Sequence, residues 1–301
     1  MTYQWATCRY AGPMKAGYED REIAECISGR EPVPDDVFCY PDVALWRDRV
    51  WDMLDDILTD PVKQAFRCSP PEYVVSDDLS WLNNIVLSAS GGDVDMKSLL
   101  AERLRQEYGA FRAGHATRTD DLAPFYVQGL RYLRADEAED RARALFLTPE
   151  FQHATEPLLQ AAIADLDARS PSGGREGRLY FCADERSLIA SHGVSGHYLI
   201  YGGEYLQCLG TRLIGRAESD RVLKSVGRPT MFVCDIPMRV IHDATLERFA
   251  GQILEILFCE IIGEQSHALG RSAGSGLSLS VDLPGEHIVG HYHPAKVSDP
   301  R

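Results

Sequence analysis

The chain has 301 residues, of which 45% are hydrophobic and 25% are charged, and this balance is typical of a folded globular protein. Its length allows one large domain or two ordinary ones, each with its own hydrophobic core. The formal net charge of −14 at pH 7 argues against a broad phosphate-binding surface, because nonspecific nucleic-acid-binding proteins cluster Lys and Arg.

The N-terminal sequence has neither the apolar segment of a signal peptide nor the Arg- and Ser-rich composition of a transit sequence. No apolar stretch reaches the length of a membrane span, and residues 253–262 come nearest to one. We therefore expect a cytoplasmic protein without a membrane partner, in a bacterium or in a host cell that a secreted effector has entered. The eight cysteines show no Cys-x-x-Cys pair and no zinc-like Cys/His spacing, which predicts reduced and mostly buried thiols.

The first 108 residues predict a helical module. Apolar residues recur at three- and four-residue spacing in three segments, at 41–58, 78–88 and 94–108. Pro61 is expected to interrupt the first of these helices, and Gly91-Gly92 is expected to end the second.

The pattern changes in the second half of the chain. Further helices are predicted at 120–132, 135–146 and 150–169, and SPSGGREG at 170–177 is the clearest loop. Beyond it, short apolar or alternating runs predict strands at 179–182, 198–201, 230–235, 277–283 and 287–291. Helices are predicted between them at 184–191, 203–214 and 244–262. The predicted fold class is α+β, with a helical N-terminal module at 1–108 and a mixed domain at 109–301.

Three short motifs follow one another along the predicted mixed domain. The first is FRAGHAT at 111–117, which contains His115 and precedes a helix that closes with Gly129-Leu130. The second is GRLYF at 177–181, with Tyr180 near the end of a strand. The third is PGEHIV at 284–289, in which Glu286 opens a late strand. Taken singly, such a histidine or Tyr-Phe pair is more often structural than functional.

In this order the motifs resemble those of the ADP-ribosyltransferase superfamily, particularly the form found in poly(ADP-ribose) polymerases and diphtheria-toxin-like enzymes. The resemblance covers residues 109–297. It implies a domain of two small packed β-sheets with flanking helices and NAD as cofactor. It also implies transfer of ADP-ribose to a macromolecule, a protein rather than a nucleic acid, or hydrolysis of NAD if water is the acceptor. The setting would be that of a bacterial toxin, effector or defence enzyme.

The resemblance also implies a role for each motif residue. Glu286 would stabilise the cationic ribose that forms as nicotinamide leaves and would polarise the incoming nucleophile. Tyr180 would stack on the nicotinamide. His115 would donate a hydrogen bond to the adenosine ribose, with Thr117 bonding nearby backbone or ligand. The other residues expected to bind the cofactor are Ala116, Ser187, Tyr198 and Tyr201.

Other interpretations of the same residues remain open. Glu204, in the aromatic and glycine-rich stretch GHYLIYGGEYL, competes with Glu286 as the essential carboxylate. Two weaker competitors are Glu260 and Glu264. A noncatalytic NAD- or nucleotide-binding protein on the same scaffold would keep the pocket aromatics without depending on Glu286. A metal-dependent enzyme would take its ligands from three late histidines, which are His287, His291 and His293.

Overall fold

The computed structural model of the chain describes residues 22–23, 33–169, 177–189, 196–264, 266 and 275–299. Most of the loop predicted at 170–177 and the end of the helix predicted at 184–191 lie outside these residues, as do Cys8 and Cys26. Most of the described cysteines are buried, as predicted, namely Cys39, Cys182, Cys234 and Cys259. None of the described helices combines the length and apolar character that crossing a membrane requires.

The described elements are a mixture of helices and strands with antiparallel strand pairs, which confirms the predicted α+β class. The strands are β1 (Glu22–Ile23), β2 (Val37–Phe38), β3 (Ala110–Thr119), β4 (Leu179–Cys182), β5 (Arg228–Pro237), β6 (Gly276–Leu279) and β7 (Ile288–Pro294). The first six helices are α1 (Val43–Met53), α2 (Asp60–Cys68), α3 (Ser80–Ser90), α4 (Met96–Glu107), α5 (Ala123–Gln128) and α6 (Ala135–Phe146). The later helices are α7 (Glu156–Arg169), α8 (Arg186–Ile189), α9 (His197–Tyr201), α10 (Glu204–Ile214), α11 (Arg216–Ser225) and α12 (Asp243–Ile261).

The described part of the chain divides into two compact units. The sheet unit contains Ala113–Cys234 and Ser278–Arg301 together with β1, and the helical unit contains Gly29–Arg112 and Asp235–Leu277. The predicted domains, 1–108 and 109–301, stay a prediction. The compact units differ from them because Asp235–Leu277, with α12, joins the helices of the first third of the chain.

The helical unit is built around α12. This helix begins after His242, whose ring accepts a hydrogen bond from the Ala244 amide at 3.2 Å. Twelve of its 19 residues are buried, which is typical of a helix enclosed by protein. It packs against α4, which begins where the Asp95 carboxylate accepts hydrogen bonds from the first-turn amides of Lys97 and Ser98.

Pro61 begins a helix instead of only ending one. The helix predicted at 41–58 stops at Met53, and the unpredicted α2 starts at Asp60 with Pro61 in its first turn. Proline is favoured at this position because the first-turn N–H groups of a helix have no intrahelical acceptor.

The strands lie in the order β1-β7-β5-β3-β4-β6, and β2 pairs with β3. The strands β3 and β4 are antiparallel with Gly114 opposite Cys182, and β5 and β7 are antiparallel with Met231 opposite Tyr292. The described strands therefore connect into one seven-stranded sheet, where the resemblance implies two small packed sheets.

Two apolar cores lie among the described residues of the sheet unit. In the first, one face of the sheet packs on α8 and α9, and its buried members include Ala116, Cys182, Met231, Leu199 and Tyr292. The second lies among α6, α7, α10 and α11 and includes Phe146, Leu209 and Tyr201.

Residues 198–201 were predicted to form a strand, and this prediction is wrong because they form α9. The helix ends at Gly202, which has a left-handed φ of +77°. Its buried residues Leu199 and Tyr201 are two positions apart and enter different cores. A short helix buried on opposite sides shows the same alternation as a strand, so the pattern misled the prediction.

Further elements differ from the predictions. The helix predicted at 150–169 begins only at Glu156, and the strand predicted at 277–283 ends at Leu279. The helix predicted at 120–132 is shorter, since α5 stops at Gln128 and is followed by Gly129, whose φ is +86°. Helix α11 was not predicted, because charged residues dominate it and leave few apolar positions to mark its buried side.

Candidate active site

His115 lies on β3 and is held by the neighbouring strand. Its Nδ1 is 2.8 Å from the main-chain oxygen of Tyr180, and its ring faces that of Phe181 with centroids 5.5 Å apart. Burial lowers the pKa of His115, which the bond to Tyr180 only partly opposes, so the ring is neutral at pH 7. Because a carbonyl oxygen only accepts, Nδ1 carries the hydrogen and Nε2 holds a lone pair. In this state Nε2 can accept a hydrogen bond but cannot donate one, where the resemblance implied a donor.

Tyr180 meets His115 through its main chain. Since Cys182 lies opposite Gly114, the antiparallel register puts Phe181 opposite His115 and Tyr180 opposite Ala116. Neighbouring residues of a strand point to opposite faces, so the half-exposed Tyr180 ring lies on the other face of the sheet from the imidazole. The structure therefore brings the first two motifs together on paired strands, and their side chains diverge.

Glu286 is exposed and lies in a short 3₁₀ turn, Gly285–His287, directly before β7. It belongs to the same compact unit as His115 and Tyr180. In the sheet order, β5 lies between β7 and β3, so the third motif is separated from the first by one strand.

The expected cofactor residues that follow His115 in the first motif lie on the two faces of β3. Ala116 is 6% exposed and belongs to the first core, in which one face of the sheet packs on α8 and α9. Thr117 is half-buried and shares the face of His115, two residues away. A ligand bound at His115 would therefore contact Thr117 before Ala116.

The other expected cofactor residues have structural partners. Ser187 is buried, and its hydroxyl donates to the main-chain oxygen of Asp184 at 2.8 Å. Tyr201 is 1% exposed and donates to the Asp299 carboxylate at 2.9 Å. Tyr198 is half-buried and packs against the first core. These contacts explain the three side chains without a ligand, and their cofactor roles stay predictions.

The competing carboxylates also have defined positions. Glu204 opens α10 directly after Gly203, where a carboxylate favours the helix N-terminus. Glu260 is 3.2 Å from Arg47, and Glu264 is exposed. Of these residues, Glu204 alone belongs to the sheet unit, together with Glu286.

Sequence reasoning missed a buried carboxylate next to the first motif. Glu185 is 1% exposed and accepts a hydrogen bond from the Tyr292 hydroxyl at 2.8 Å. A Cβ atom added to Gly114 would lie 3.2 Å from the Glu185 Cβ and 2.9 Å from the Met231 Sδ, so the glycine lets these side chains pack under β3. In the sequence, Glu185 is one of several charges in CADERS, and nothing there marks it as the buried one.

Arg118 was also missed. It is 8% exposed, and its guanidinium donates to four main-chain oxygens, those of Leu199, Lys224, Val226 and Gly227. The side chain therefore ties the end of β3 to α9 and to the turn between α11 and β5. From the sequence alone, an arginine next to the first motif would be interpreted as a surface or ligand-binding residue. The structure instead gives it a structural role.

The late histidines form a buried pair. His291 and His293 lie on the same face of β7, are at most 2% exposed, and have ring centroids 5.6 Å apart. The Nδ1 of His293 lies 3.1 Å from the Thr230 hydroxyl and 3.0 Å from the Pro229 oxygen. Within the described ranges, no group of three or more His, Cys, Asp or Glu residues could hold a metal ion.

In comparisons with known proteins, no family model, no curated sequence and no solved structure matched this chain. The resemblance to ADP-ribosyltransferases therefore depends on the three motifs and on the geometry of the residues that form them.

Proposed function

We propose that the chain is an NAD-dependent ADP-ribosyltransferase whose catalytic domain falls within residues 109–301. The observation that carries the proposal is the contact between the first two motifs, in which the His115 Nδ1 donates to the Tyr180 main-chain oxygen at 2.8 Å. This bond fixes a neutral imidazole in one tautomer next to the strand that bears the second motif. The implied two-sheet domain would here be represented by the single seven-stranded sheet.

His115 and Thr117 form the part of the site that would bind ribose. The Nε2 lone pair of a neutral histidine accepts a hydrogen bond from a sugar hydroxyl, and the Thr117 hydroxyl on the same face can donate or accept. A protonated histidine would lose this acceptor. The lowered pKa of His115 therefore supports binding of an uncharged hydroxyl at neutral pH.

Glu286 would act at the reacting carbon. As the bond from the ribose C1′ to the nicotinamide nitrogen breaks, its electron pair stays with nicotinamide, and the Glu286 carboxylate stabilises the positive charge on the ribose. The acceptor then bonds to C1′ and gives its proton to the same carboxylate. An exposed acid at the start of β7 suits this step because a macromolecular acceptor must reach it.

Tyr180 would contact nicotinamide from the other side of the β3–β4 pair. Since its ring and the His115 ring lie on opposite faces, a dinucleotide that touches both must pass around an end of these strands. Replacing Tyr180 by Ala removes the ring and keeps the main-chain oxygen that orients His115. We therefore expect Tyr180→Ala to raise the KM for NAD, and Tyr180→Phe to leave it within about twofold.

The acceptor would be a protein, because the net charge of −14 disfavours a nucleic acid, and the location would be a bacterial or host cytoplasm. A toxin, effector or defence enzyme fits such a reaction.

A noncatalytic NAD-binding protein on the same scaffold is the alternative, and it would bind NAD without releasing nicotinamide.

The decisive experiment incubates the protein with cell lysate and NAD labelled in its adenosine part. Labelled protein and released nicotinamide are measured for the unaltered chain, Glu286→Gln and the matched control Glu204→Gln. We expect Glu286→Gln to lose on the order of 10²-fold or more in both measurements, and Glu204→Gln to stay near the unaltered protein. Transfer that survives Glu286→Gln would contradict the assignment, and titration calorimetry that shows NAD binding without release would favour the alternative.

A further inference from the structure

The turn that carries Glu286 is attached to α5 on its N-terminal side. Leu130, just after α5, and Leu283, just before the turn, form an isolated antiparallel bridge. Its two hydrogen bonds, from each amide to the other residue's main-chain oxygen, are both 2.8 Å long. The main chain is therefore fixed three residues before Glu286.

Two glycines let the turn approach α5 closely. A Cβ atom on Gly129 would lie 2.1 Å from the Leu283 oxygen, and one on Gly285 would lie 2.2 Å from the Tyr126 oxygen. Side chains at these positions would separate the backbones. The residue directly before Glu286 therefore lies against the main chain of α5.

The same helix is attached to the strand that follows Glu286. The Tyr126 hydroxyl and the His291 Nδ1 are 2.7 Å apart, and His291 is 1% exposed. Phe125, the preceding residue of α5, packs on Phe232 of β5 with ring centroids 4.7 Å apart. A hydrogen bond shielded from water in this way resists competition from solvent.

We propose that Tyr126 and His291 are positioning residues for Glu286. Together with the Leu130–Leu283 bridge, their bond forms a clamp in which α5 and the residues just after it hold the chain on both sides of the acid, at Leu283 and at His291. The catalytic role of Glu286 in this inference depends on the proposed function. The clamp itself depends only on the contacts just described. A displacement of about 1 Å at a reacting group can cost on the order of 10²-fold in rate, so such a clamp would act on turnover more than on binding.

The test uses three variants chosen for their effect on the hydrogen bond between Tyr126 and His291. Tyr126→Phe keeps the ring and removes the hydroxyl. His291→Asn keeps an acceptor near the position of Nδ1, and His291→Gln moves it toward the position of Nε2. An exposed tyrosine, Tyr73→Phe, which is 70% exposed in the unaltered protein, is the control. Hydrogen exchange is followed by mass spectrometry in peptides that span residues 281–288.

We expect exchange in these peptides to become roughly three- to tenfold faster in Tyr126→Phe and His291→Gln, which corresponds to the loss of one hydrogen bond, and to stay unchanged in His291→Asn and Tyr73→Phe. In assays of nicotinamide release, Tyr126→Phe and His291→Gln should have a kcat roughly ten- to a hundredfold lower than that of the unaltered protein, with little change in the dissociation constant for NAD.

The outcomes separate the two proposals. Unchanged exchange in Tyr126→Phe and His291→Gln would overturn the clamp, whatever the protein catalyses. Faster exchange with an unchanged kcat would overturn the positioning role. Faster exchange in a protein that releases no nicotinamide from NAD would support the clamp and overturn the proposed function.

Discussion

The hydroxyl of Tyr292 donates to the carboxylate of Glu185 at 2.8 Å, in a place where neither residue is more than 1% exposed. The two side chains come from β7 and from the segment after β4, so their bond connects distant parts of the sheet unit. A buried carboxyl group needs such donors, because burying a polar group without a hydrogen bond is costly.

Tyr292→Phe should therefore destabilise the protein although it changes a single atom. Leaving a buried hydrogen-bond acceptor without its donor costs about 1 to 3 kcal/mol. Urea unfolding should show a decrease of this size in the free energy of unfolding, whereas the control Tyr73→Phe, at an exposed position, should show none. Equal effects in the two variants would mean that the Glu185 contact contributes nothing.

Arg118→Lys should be strongly destabilising. The guanidinium reaches four main-chain oxygens at 2.6 to 3.0 Å, and a lysine has one nitrogen with which to replace them. We expect a loss of about 3 kcal/mol or more, since several buried acceptors lose their donor. The exposed Arg67→Lys should change the unfolding midpoint little. A small effect in both would show that the four bonds are not maintained in solution.

The stability of the protein should depend on pH through His115. Burial lowers the pKa of His115 below the value of about 6.5 for an exposed histidine, so the unfolded chain takes up a proton at pH values where the folded protein does not. The contribution of His115 to the free energy of unfolding is complete above about pH 6.5. It is lost as the pH falls from there through the pKa of His115 in the folded protein.

His115→Asn isolates this contribution, because Asn can donate to the Tyr180 oxygen and does not titrate. The free energy of unfolding, measured by urea between pH 8 and pH 5, should fall less steeply below about pH 6.5 in the variant than in the unaltered protein. Identical slopes would show that His115 titrates normally in the fold.

Gly129→Ala should cost more than a positive-φ backbone alone explains. Gly129 and Gly215 both combine a positive φ with an extended ψ, at +86° and −172° for Gly129 and at +82° and +159° for Gly215, but only the first would bring a Cβ atom within 4 Å of another group. Gly215→Ala should cost about 1 to 3 kcal/mol from the backbone conformation. Gly129→Ala should exceed this value, because its Cβ meets the Leu283 oxygen, and thermal or urea unfolding of both variants gives the difference.

The sequence placed His115 and Tyr180 in one predicted domain, but it did not predict how the two residues meet. Their contact is a hydrogen bond from the His115 Nδ1 to the Tyr180 main-chain oxygen, and it depends on the pairing of β3 with β4. The sequence also did not predict that the two side chains point apart, since this depends on the register of Gly114 and Cys182. Glu185 could not be identified because its burial depends on a glycine 71 positions earlier in the chain. The α9 segment was misread because its two buried residues face different cores.

Helix α12 has a practical consequence for anyone who wishes to express the proposed catalytic region by itself. A fragment that starts at residue 109 would keep this 19-residue, mostly apolar helix and lose α4, against which it packs. The exposed surface would favour aggregation. If such a fragment were insoluble, the cause would be the missing packing partner of α12. The result would not show whether the protein transfers ADP-ribose from NAD.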